Sequence, residues 1–235
     1  AMSRLGGYLK GSPKVLENRT YGFLEKQDGY FVQIRVKKVN KKYKNFPLMS
    51  YVNDKGVRIF TNKPLDSLHV CKFELEDLIK NHKIEFDIID GYYYNEGRND
   101  TLKEVIDFVF NERLKLKKDK NPLEQIFKLI MNSSYGKTIQ KAIDDDVKLV
   151  ASDKLDNFID KHYNRISSYE ALYGGKDGFE KYKVKVEKGI NDHFNNAPCG
   201  VEVLAMSKRI MNEVMCLAED NEIKVYYQDT DSMHL

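Results

Sequence analysis

Several features that define large classes of protein are scarce or missing in this sequence. The three cysteines, Cys71, Cys199 and Cys216, stand far apart and form no CxxC pair, which argues against a zinc site or a disulfide framework and favours a reducing compartment. No apolar stretch approaches 18 residues, so we expect no membrane-spanning helix and no membrane partner. No secretory signal precedes the first charged residues, and we therefore expect an intracellular protein.

An excess of charge of one sign is also missing. The 235 residues include 39 lysines and arginines against 36 aspartates and glutamates, a formal net charge of +3. This balance does not by itself indicate a nucleic-acid-binding protein, because such binding depends on where the basic residues cluster.

The pattern of apolar residues predicts an α+β protein. Up to residue 97 the sequence predicts a β-rich block: "YFVQIRVKKV", "FPLMSYV", "GVRIFTN", "HVCKFEL" and "KIEFDIIDGYYYN" are predicted strands, and "LEDLIKNH" is a predicted short helix. From residue 100, two helical stretches joined by "DKNP" predict an antiparallel helical hairpin. Residues 141–196 are polar and are predicted to be irregular, with a β-hairpin near 181–190. Residues 201–219 predict a long amphipathic helix, and "IKVYYQDTDSMHL" a strand, a tight turn and a strand.

The ends of the helical hairpin carry recognisable signals. Thr101 with Glu104 three residues later predicts a capping box at the start of the first helix. Asn121 and Pro122 predict the cap and the first position of the second helix. Gly136 predicts a left-handed residue at the C-terminal end of that helix.

Two carboxylates near the end of the sequence suggest a metal site. Asp229 and Asp231 flank a turn and could face one point, where their repulsion would need a divalent cation to neutralise it. Oxygen ligands of this kind suit Mg²⁺ or Mn²⁺. An ordinary acidic β-turn is the alternative interpretation.

The second predicted helix carries a polar stripe. Lys128, Asn132 and Tyr135 are spaced i, i+4, i+7 and fall on one face, where a cation, an amide and an aromatic ring could bind the phosphates, sugar and base of a nucleotide. Gly136 would let the backbone approach a ligand closely. A solvated polar face is the alternative.

The first predicted helix ends in a basic cluster. Arg113 and Lys117 are spaced i, i+4, with Lys115 and Lys118 beside them. The alternative to a ligand-binding role is that these cations stay solvated and complement the helix dipole.

Taken together, these segments resemble family B DNA polymerases. "KLIMNSSYGK" (128–137) matches motif B, KxxxNSxYG, and "YYQDTDS" (226–232) matches motif C, YxDTDS. "APCGVEVLAMSKRI" resembles a palm segment of the protein-primed branch, and "AMSRLGGYLKG" resembles the residues that follow motif A. The sequence is therefore expected to be a fragment that runs from just after motif A to motif C.

The resemblance implies roles for the candidate residues. Asp231 would be a direct ligand of two catalytic Mg²⁺ (or Mn²⁺) ions, with Asp229 as its neighbour. Lys128 would contact the incoming triphosphate and act as a general acid, and Arg113 and Lys117 would grip phosphates. Asn132 and Tyr135 would lie at the nascent base pair, with Tyr135 near the sugar, and Gly136 would belong to the nucleotide-binding site. Because the motif A aspartate is not in the sequence, the chain alone is expected to be inactive.

The resemblance also implies a division of the chain and a set of partners. The expected parts are a palm segment (1–13), a β-rich insertion (14–97), fingers with motif B (98–140), a second insertion (141–196) and a palm segment with motif C (197–235). The expected partners are template–primer DNA, deoxynucleoside triphosphates and, through the insertions, a terminal protein. Whether protein or nucleic acid supplies the primer stays open.

The sequence leaves other questions open. The basic stretch 35–45 has two interpretations, a surface for DNA or terminal protein and a solvated edge strand protected by lysines. The abundance of Lys, Asn, Ile and Tyr suggests a viral or mobile-element protein that acts in a host cell. Two rival functions remain: a non-catalytic nucleic-acid-binding module that keeps the polymerase fold, and an unrelated Mg²⁺-dependent nuclease, which would need further acidic residues near the terminal hairpin.

Overall fold

The computed structural model describes residues 2–140, 145–172, 181–189, 195–229 and 232–234. These residues form two compact units, one made of residues 1–135 with 197–235 and the other of residues 136–196. After a 3-10 helix at Met2–Leu5, the first unit contains β1 (Tyr8–Leu9), β2 (Lys14–Val15), α1 (Tyr21–Leu24), β3 (Gly29–Val39), β4 (Met49–Val52), β5 (Arg58–Thr61), β6 (Leu65–Cys71), α2 (Lys72–Asp77), β7 (Ile84–Tyr94), β8 (Arg98–Asn99) and α3 (Thr101–Lys118). The chain continues through α4 (Glu124–Thr138), β9 (Asp145–Ala151), α5 (Leu155–His162), β10 (Ile166–Leu172), β11 (Lys181–Glu187), α6 (Ala197–Asp220), β12 (Tyr227–Asp229) and β13 (Ser232–His234).

The first unit is built on a four-stranded antiparallel sheet in the order β2-β7-β3-β6. Alternate residues of β3, namely Tyr30, Val32, Ile34 and Val36, are buried and pack with residues of α1 and α2 in the main core. Gly91 of β7 has a φ of +156°, and a Cβ there would lie 2.4 Å from the carbonyl oxygen of Phe31. Only glycine fits at this position, where β7 pairs with β3.

The basic stretch 35–45 begins between two strands of this sheet, but residues 37–39 pair with β7 alone and residues 40–45 follow the end of β3, so its interpretation as an edge strand fails only for Arg35 and Val36. β3 pairs with β7 on one side and with β6 on the other. Its cations face carboxylates on those neighbours: Lys37 Nζ lies 2.8 Å from Asp87 and Lys38 Nζ lies 3.5 Å from Glu85. These lysines form cross-strand ion pairs.

The predicted strand "HVCKFEL" is only partly a strand. β6 ends at Cys71 and α2 begins at Lys72, continuing as a π-helical turn over Leu78–His82. The backbone N–H of Cys71 donates to Glu74 Oε2 at 3.3 Å, which is half of a capping box with cysteine in the place of serine or threonine.

The helical hairpin is present as α3 and α4, but three of its predicted ends are wrong. Thr101 is the first helical residue, after Asp100 as the N-cap, and its own backbone N–H donates to Asn99 Oδ1 at 3.0 Å. A threonine in the first turn cannot form the predicted capping box, since that motif needs it one position earlier.

The second helix also starts and ends later than predicted. Asn121 Oδ1 accepts the backbone N–H of Leu123 at 3.0 Å in a turn that precedes α4, so α4 begins at Glu124 and not at Pro122. Gly136 lies inside α4, which ends at Thr138. The prediction of a left-handed helix end at Gly136 is therefore wrong.

The second unit is more regular than predicted. β9, β11 and β10 form an antiparallel sheet with β11 in the centre, and α5 covers one face. Val150, Leu155, Val184 and Val186 are buried in its core. The predicted hairpin near 181–190 is in fact a central strand with a partner on each side, and the prediction of an otherwise irregular segment is wrong. Residues 141–144, 173–180 and 190–194 lie outside the described residues.

The last part of the chain agrees with the sequence prediction. α6 is a 24-residue helix that begins four residues before the predicted start at Val201. β12 and β13 form the predicted hairpin, with Tyr227 opposite His234 and Asp229 opposite Ser232. None of the helices in the described ranges has the length and apolar character that crossing a membrane requires.

Candidate active site

The terminal hairpin presents one of the two predicted metal ligands. Asp229 is exposed at the end of β12, and its carbonyl oxygen accepts the Ser232 hydroxyl at 3.1 Å. Asp231 lies outside the described residues. The neighbouring Gln228 lines a cavity of about 650 Å³ between α6, the β4–β5 hairpin and residues 45–48. Gln228 and residues of α6 thus line the same cavity, and Asp229 faces solvent.

The donor chemistry near this hairpin suits a magnesium site without completing it. Within the residues that the structure describes, no cluster of three or more His, Cys, Asp or Glu side chains could hold a metal ion. A carboxylate on a strand end is a suitable oxygen ligand for Mg²⁺ or Mn²⁺. Asp229 therefore fits as a ligand that needs further carboxylates beside it.

The predicted polar stripe lies on α4. Lys128, Asn132 and Tyr135 all belong to this helix, and their spacing places them on one face. Lys128 and Asn132 are exposed, and neither has a hydrogen bond or ion pair within the described part of the chain. The structure links neither of them to the terminal hairpin, so the stripe is brought together but its predicted convergence on Asp229 stays a prediction.

Tyr135 differs from the other members of the stripe because it is half-buried. Its ring packs on a cluster formed by Leu5 of the 3-10 helix with Val203 and Met206 of α6. This burial raises the pKa of the phenol above its usual value of 10.0. The C-terminal part of α4 therefore packs on α6.

The two predicted phosphate-binding cations of α3 have different surroundings. The Nε atom of Arg113 donates to Glu124 Oε2 at 3.0 Å, and both side chains are about three-quarters buried. Arg113 thus ties α3 to the first residue of α4. Lys117 is exposed in the last turn of α3, and its ammonium, like that of Lys128, has no partner among the residues described.

Gly136 has open space around it. A Cβ at this position would meet no atom within 4 Å, and the residue is the first of the second unit. The backbone conformation does not require glycine here, so only the predicted approach of a ligand would do so.

A buried ion pair that the sequence prediction missed joins β8 to α6. Glu202 of α6 is 1% exposed, and its two carboxylate oxygens accept hydrogen bonds from Arg98 at 2.7 and 2.9 Å. Burial raises the pKa of Glu202, and the Arg98 guanidinium opposes that shift. The signal was available in part, because Glu202 falls on the buried stripe of α6 with Cys199, Val203 and Met206.

Arg209 of α6 makes a similar contact with α2. Arg209 donates to Asp77 at 2.7 Å, to Glu76 at 2.9 Å and to the carbonyl oxygen of Phe73 at 2.6 Å. The guanidinium carbons of Arg98 and Arg209 lie 5.6 and 5.0 Å from the centre of the Phe73 ring. These contacts fix α6 against α2 through charges that no local pattern indicates.

Comparison with known proteins gives related viral sequences. The DNA polymerase of Acidianus bottle-shaped virus (isolate Italy/Pozzuoli) is 49% identical over 70 residues, which cover 28% of this chain and 10% of that protein. Uncharacterized protein 075R of Invertebrate iridescent virus 3 is 30% identical over 118 residues, 47% of this chain and 65% of that protein. The chain thus spans less than two thirds of each relative.

Solved structures with the same fold include the phi29 DNA polymerase. The structure of that enzyme complexed with primer-template DNA and incoming nucleotide substrates has a TM-score of 0.59 and 20% sequence identity, and covers 100% of this chain and 36% of its own. At this identity the likeness establishes the fold. A family model described as DNA polymerase type B, organellar and viral, matches residues 11–216. This match takes in most of the sequence, and the chain therefore belongs to the organellar and viral family of type B DNA polymerases.

Proposed function

We propose that this chain carries the nucleotide-binding fingers and the motif C part of the palm of a template-directed DNA polymerase of a virus or mobile element. The observation that carries the proposal is the α4 stripe, on which an unpartnered lysine and a seated tyrosine share one helix face. Seven residues at 1.5 Å each separate Lys128 from Tyr135 by about 10 Å along the axis, roughly the length of a nucleotide from its phosphates to its base.

The residues divide the chemistry between phosphate and base. Lys128 would neutralise the triphosphate and donate a proton to the departing pyrophosphate, since an exposed ammonium can do both. Arg113 and Lys117 would hold phosphate oxygens, with Arg113 fixed by Glu124 so that its remaining N–H groups keep one direction. The half-buried Tyr135 would pack near the sugar, and Asn132 would lie at the base pair.

The terminal hairpin would supply the metal ligands. Asp229 and Asp231 would hold divalent cations, with a third carboxylate from a motif A segment. When bound, two such cations activate the primer hydroxyl and stabilise the charge that develops on the phosphates. In this chain the β12–β13 pairing would hold Asp229 at a strand end.

The proposal includes the partners of the complete enzyme. The related phi29 polymerase binds primer-template DNA and incoming nucleotides, and the proposed partners here are the same classes of molecule, in an infected host cell. Residues 14–97 and 141–196 are the proposed insertions, with a terminal protein as their further partner. The existence of a compact second unit over residues 136–196 supports this division.

The test of the proposal is Lys128→Ala in a polymerase that contains this sequence together with a motif A segment. We expect kcat/KM to fall by about 100-fold, roughly 3 kcal/mol of transition-state stabilisation. The loss should be equal for all four nucleotides, because a phosphate contact carries no base information. Lys161→Ala, which removes an exposed lysine of α5, is the control and should leave kcat/KM unchanged.

Single-turnover incorporation measures this effect apart from DNA binding. Normal incorporation by the Lys128→Ala enzyme would remove the basis of the proposal. The 235-residue chain assayed alone with primer–template and Mg²⁺ or Mn²⁺ should incorporate no nucleotide, since it contains no match to motif A.

A further inference from the structure

One guanidinium joins four segments of the first unit. Besides its two bonds to Glu202, Arg98 donates to the carbonyl oxygen of Gly7 at 2.8 Å and to that of Asp28 at 2.9 Å. The Arg98 side chain is 17% exposed. Four acceptors around one planar fork fix its orientation far better than a single ion pair does.

These four segments meet where the helical hairpin leaves the rest of the unit. Arg98 stands three residues before Thr101, the first residue of α3, and Gly7 follows the 3-10 helix. The approach is close, because a Cβ on Gly7 would lie 2.6 Å from the carbonyl oxygen of Asn99. The 3-10 helix in turn packs against both α3 and α6.

The hydrogen bonds of Arg98 also support the apolar cluster on which Tyr135 packs. Glu202 is followed directly by Val203, and Val203 and Met206 of α6 form this cluster together with Leu5. Arg98 therefore fixes the two elements that carry this cluster, the 3-10 helix through Gly7 and α6 through Glu202. A shift of either would move the ring of Tyr135 and, through α4, the whole polar stripe.

We infer that Arg98 and Glu202 are positioning residues that set the helical hairpin for the incoming nucleotide, an inference that rests on the proposed function. A buried ion pair is in general no more stabilising than apolar residues of the same volume. A role in stability alone therefore does not require this pair. Its value lies in the two backbone carbonyls, which only the guanidinium can bind together with Glu202.

The experiment separates position from stability with a double variant in the complete polymerase. Arg98→Met with Glu202→Leu leaves no unpaired buried charge, so the fold should be retained. The carbonyls of Gly7 and Asp28 lose their donor, and we expect the KM for nucleotide to rise by about tenfold or more, as small misplacements of binding groups do. Affinity for primer–template, measured by fluorescence anisotropy, should stay within about twofold of the unsubstituted enzyme, because Arg98 and Glu202 bind each other and not phosphate.

A conservative variant keeps the test valid if the double variant does not fold. Arg98→Lys retains a charge opposite Glu202 but cannot bind all four acceptors at once. It should give a smaller rise in KM, about threefold, with kcat nearly unchanged. A KM within twofold of the unsubstituted enzyme in each folded variant would overturn the inference.

The matched control uses the other arginine that packs on Phe73. Arg209→Met with Asp77→Leu removes a buried pair of the same kind, but one that ties α6 to α2 and not to the 3-10 helix or the start of α3. Its KM should be unchanged, and an equal rise in KM would show that the effect belongs to α6 as a whole and would overturn the inference. If the unsubstituted enzyme incorporates no nucleotide, the proposed function fails. If it does incorporate nucleotide and the Arg98 variants leave KM unchanged, the inference alone fails.

Discussion

The charged residues of α6 and those of α4 behave in opposite ways. On α6, Glu202 is buried and pairs with Arg98, and Arg209, whose side chain is 18% exposed, pairs with Glu76 and Asp77. On α4, no residue is buried, and Lys128 stands in solvent with no partner in the described ranges. The two helices touch at Tyr135, which packs on α6.

The difference separates charges that hold the fold from charges that remain for a ligand. A buried carboxylate with a bidentate arginine has no capacity left for a substrate. An exposed ammonium costs the fold nothing when a ligand binds it, since its hydration is simply replaced. Surroundings, and not residue type, decide which charged groups are candidates for chemistry.

The largest effect is expected at the terminal hairpin. In the complete polymerase, Asp231→Ala should leave no more than a few per cent of the wild-type rate, because a metal-bridging carboxylate acts on the chemical step itself. DNA binding should be largely intact. Primer extension and anisotropy measure the two quantities, with Asp153→Ala, an exposed carboxylate of the second unit, as the control. A variant that keeps a tenth of the wild-type rate or more would show that Asp231 is not a ligand.

The next effect concerns stability, and it should be larger for a substitution on α6 than for one on α4. Glu202→Ala leaves Arg98 buried without its carboxylate and should lower the free energy of unfolding by about 3–5 kcal/mol. Lys128→Ala should change it by less than about 0.5 kcal/mol, because the side chain is exposed and unpartnered. Urea unfolding of the 235-residue chain followed by circular dichroism gives both numbers. Equal losses would break the distinction drawn between the helices.

A smaller effect should appear in the pH dependence of stability. Burial raises the pKa of Asp77 from 3.8 to about 6, against the opposing charge of Arg209. The native state therefore holds a proton that the unfolded chain loses, and stability from this group falls as the pH rises from about 4 to about 6. Between pH 4.5 and pH 7 this group should lower the free energy of unfolding by about 2 kcal/mol, and Asp77→Asn should abolish that change.

His82 acts in the opposite direction and must be controlled for. Its ring is fully buried, Nδ1 donates to the carbonyl oxygen of Lys41 at 2.7 Å, and Nε2 accepts the backbone N–H of Leu48 at 3.0 Å. Burial lowers the pKa of His82, so its contribution is lost as the pH falls below the usual value of 6.5. The difference between wild type and Asp77→Asn at each pH cancels the His82 term. A difference that does not change with pH would contradict the assignment to Asp77.

The smallest effect is expected in the basic stretch of β3. Lys37 pairs with Asp87 across the sheet while both side chains are about half exposed. Lys37→Met should therefore cost less than about 1 kcal/mol in urea unfolding. It should also leave oligonucleotide affinity unchanged, because the ammonium is already paired; a large loss of affinity would restore this stretch as a nucleic-acid surface.

Local patterns predicted those elements whose own residues specify them. The period of two in β3 and the period of 3.6 in α3 and α6 were sufficient because each of these elements buries one face. The three-stranded sheet of the second unit was missed because most residues of β9 and β10 are at least partly exposed, so that their sequences have the polar composition of a loop. The start of α3 was missed because Asn99, two positions before the predicted cap Thr101, accepts the backbone N–H of that threonine. The start of α4 was misplaced because the turn that Asn121 caps precedes the helix.

The candidate site shows the same limit. Motif spacing predicted the α4 stripe and the hairpin of Asp229, because both depend on neighbours in sequence. Arg98 and Glu202 are 104 residues apart, and no periodicity connects them. The same applies to Arg209 and Asp77, so the framework that supports the site could be found only from the folded chain.

The second unit begins and ends at one place. The backbone N–H of Asn196 donates to the carbonyl oxygen of Thr138 at 3.0 Å, so the chain enters and leaves this unit through a single hydrogen-bonded closure. A segment with adjacent ends can be inserted into a gene or removed from it without altering the path of the flanking chain. The length of this unit can therefore differ between related proteins without altering the path of the chain in α4 and α6 on either side of it.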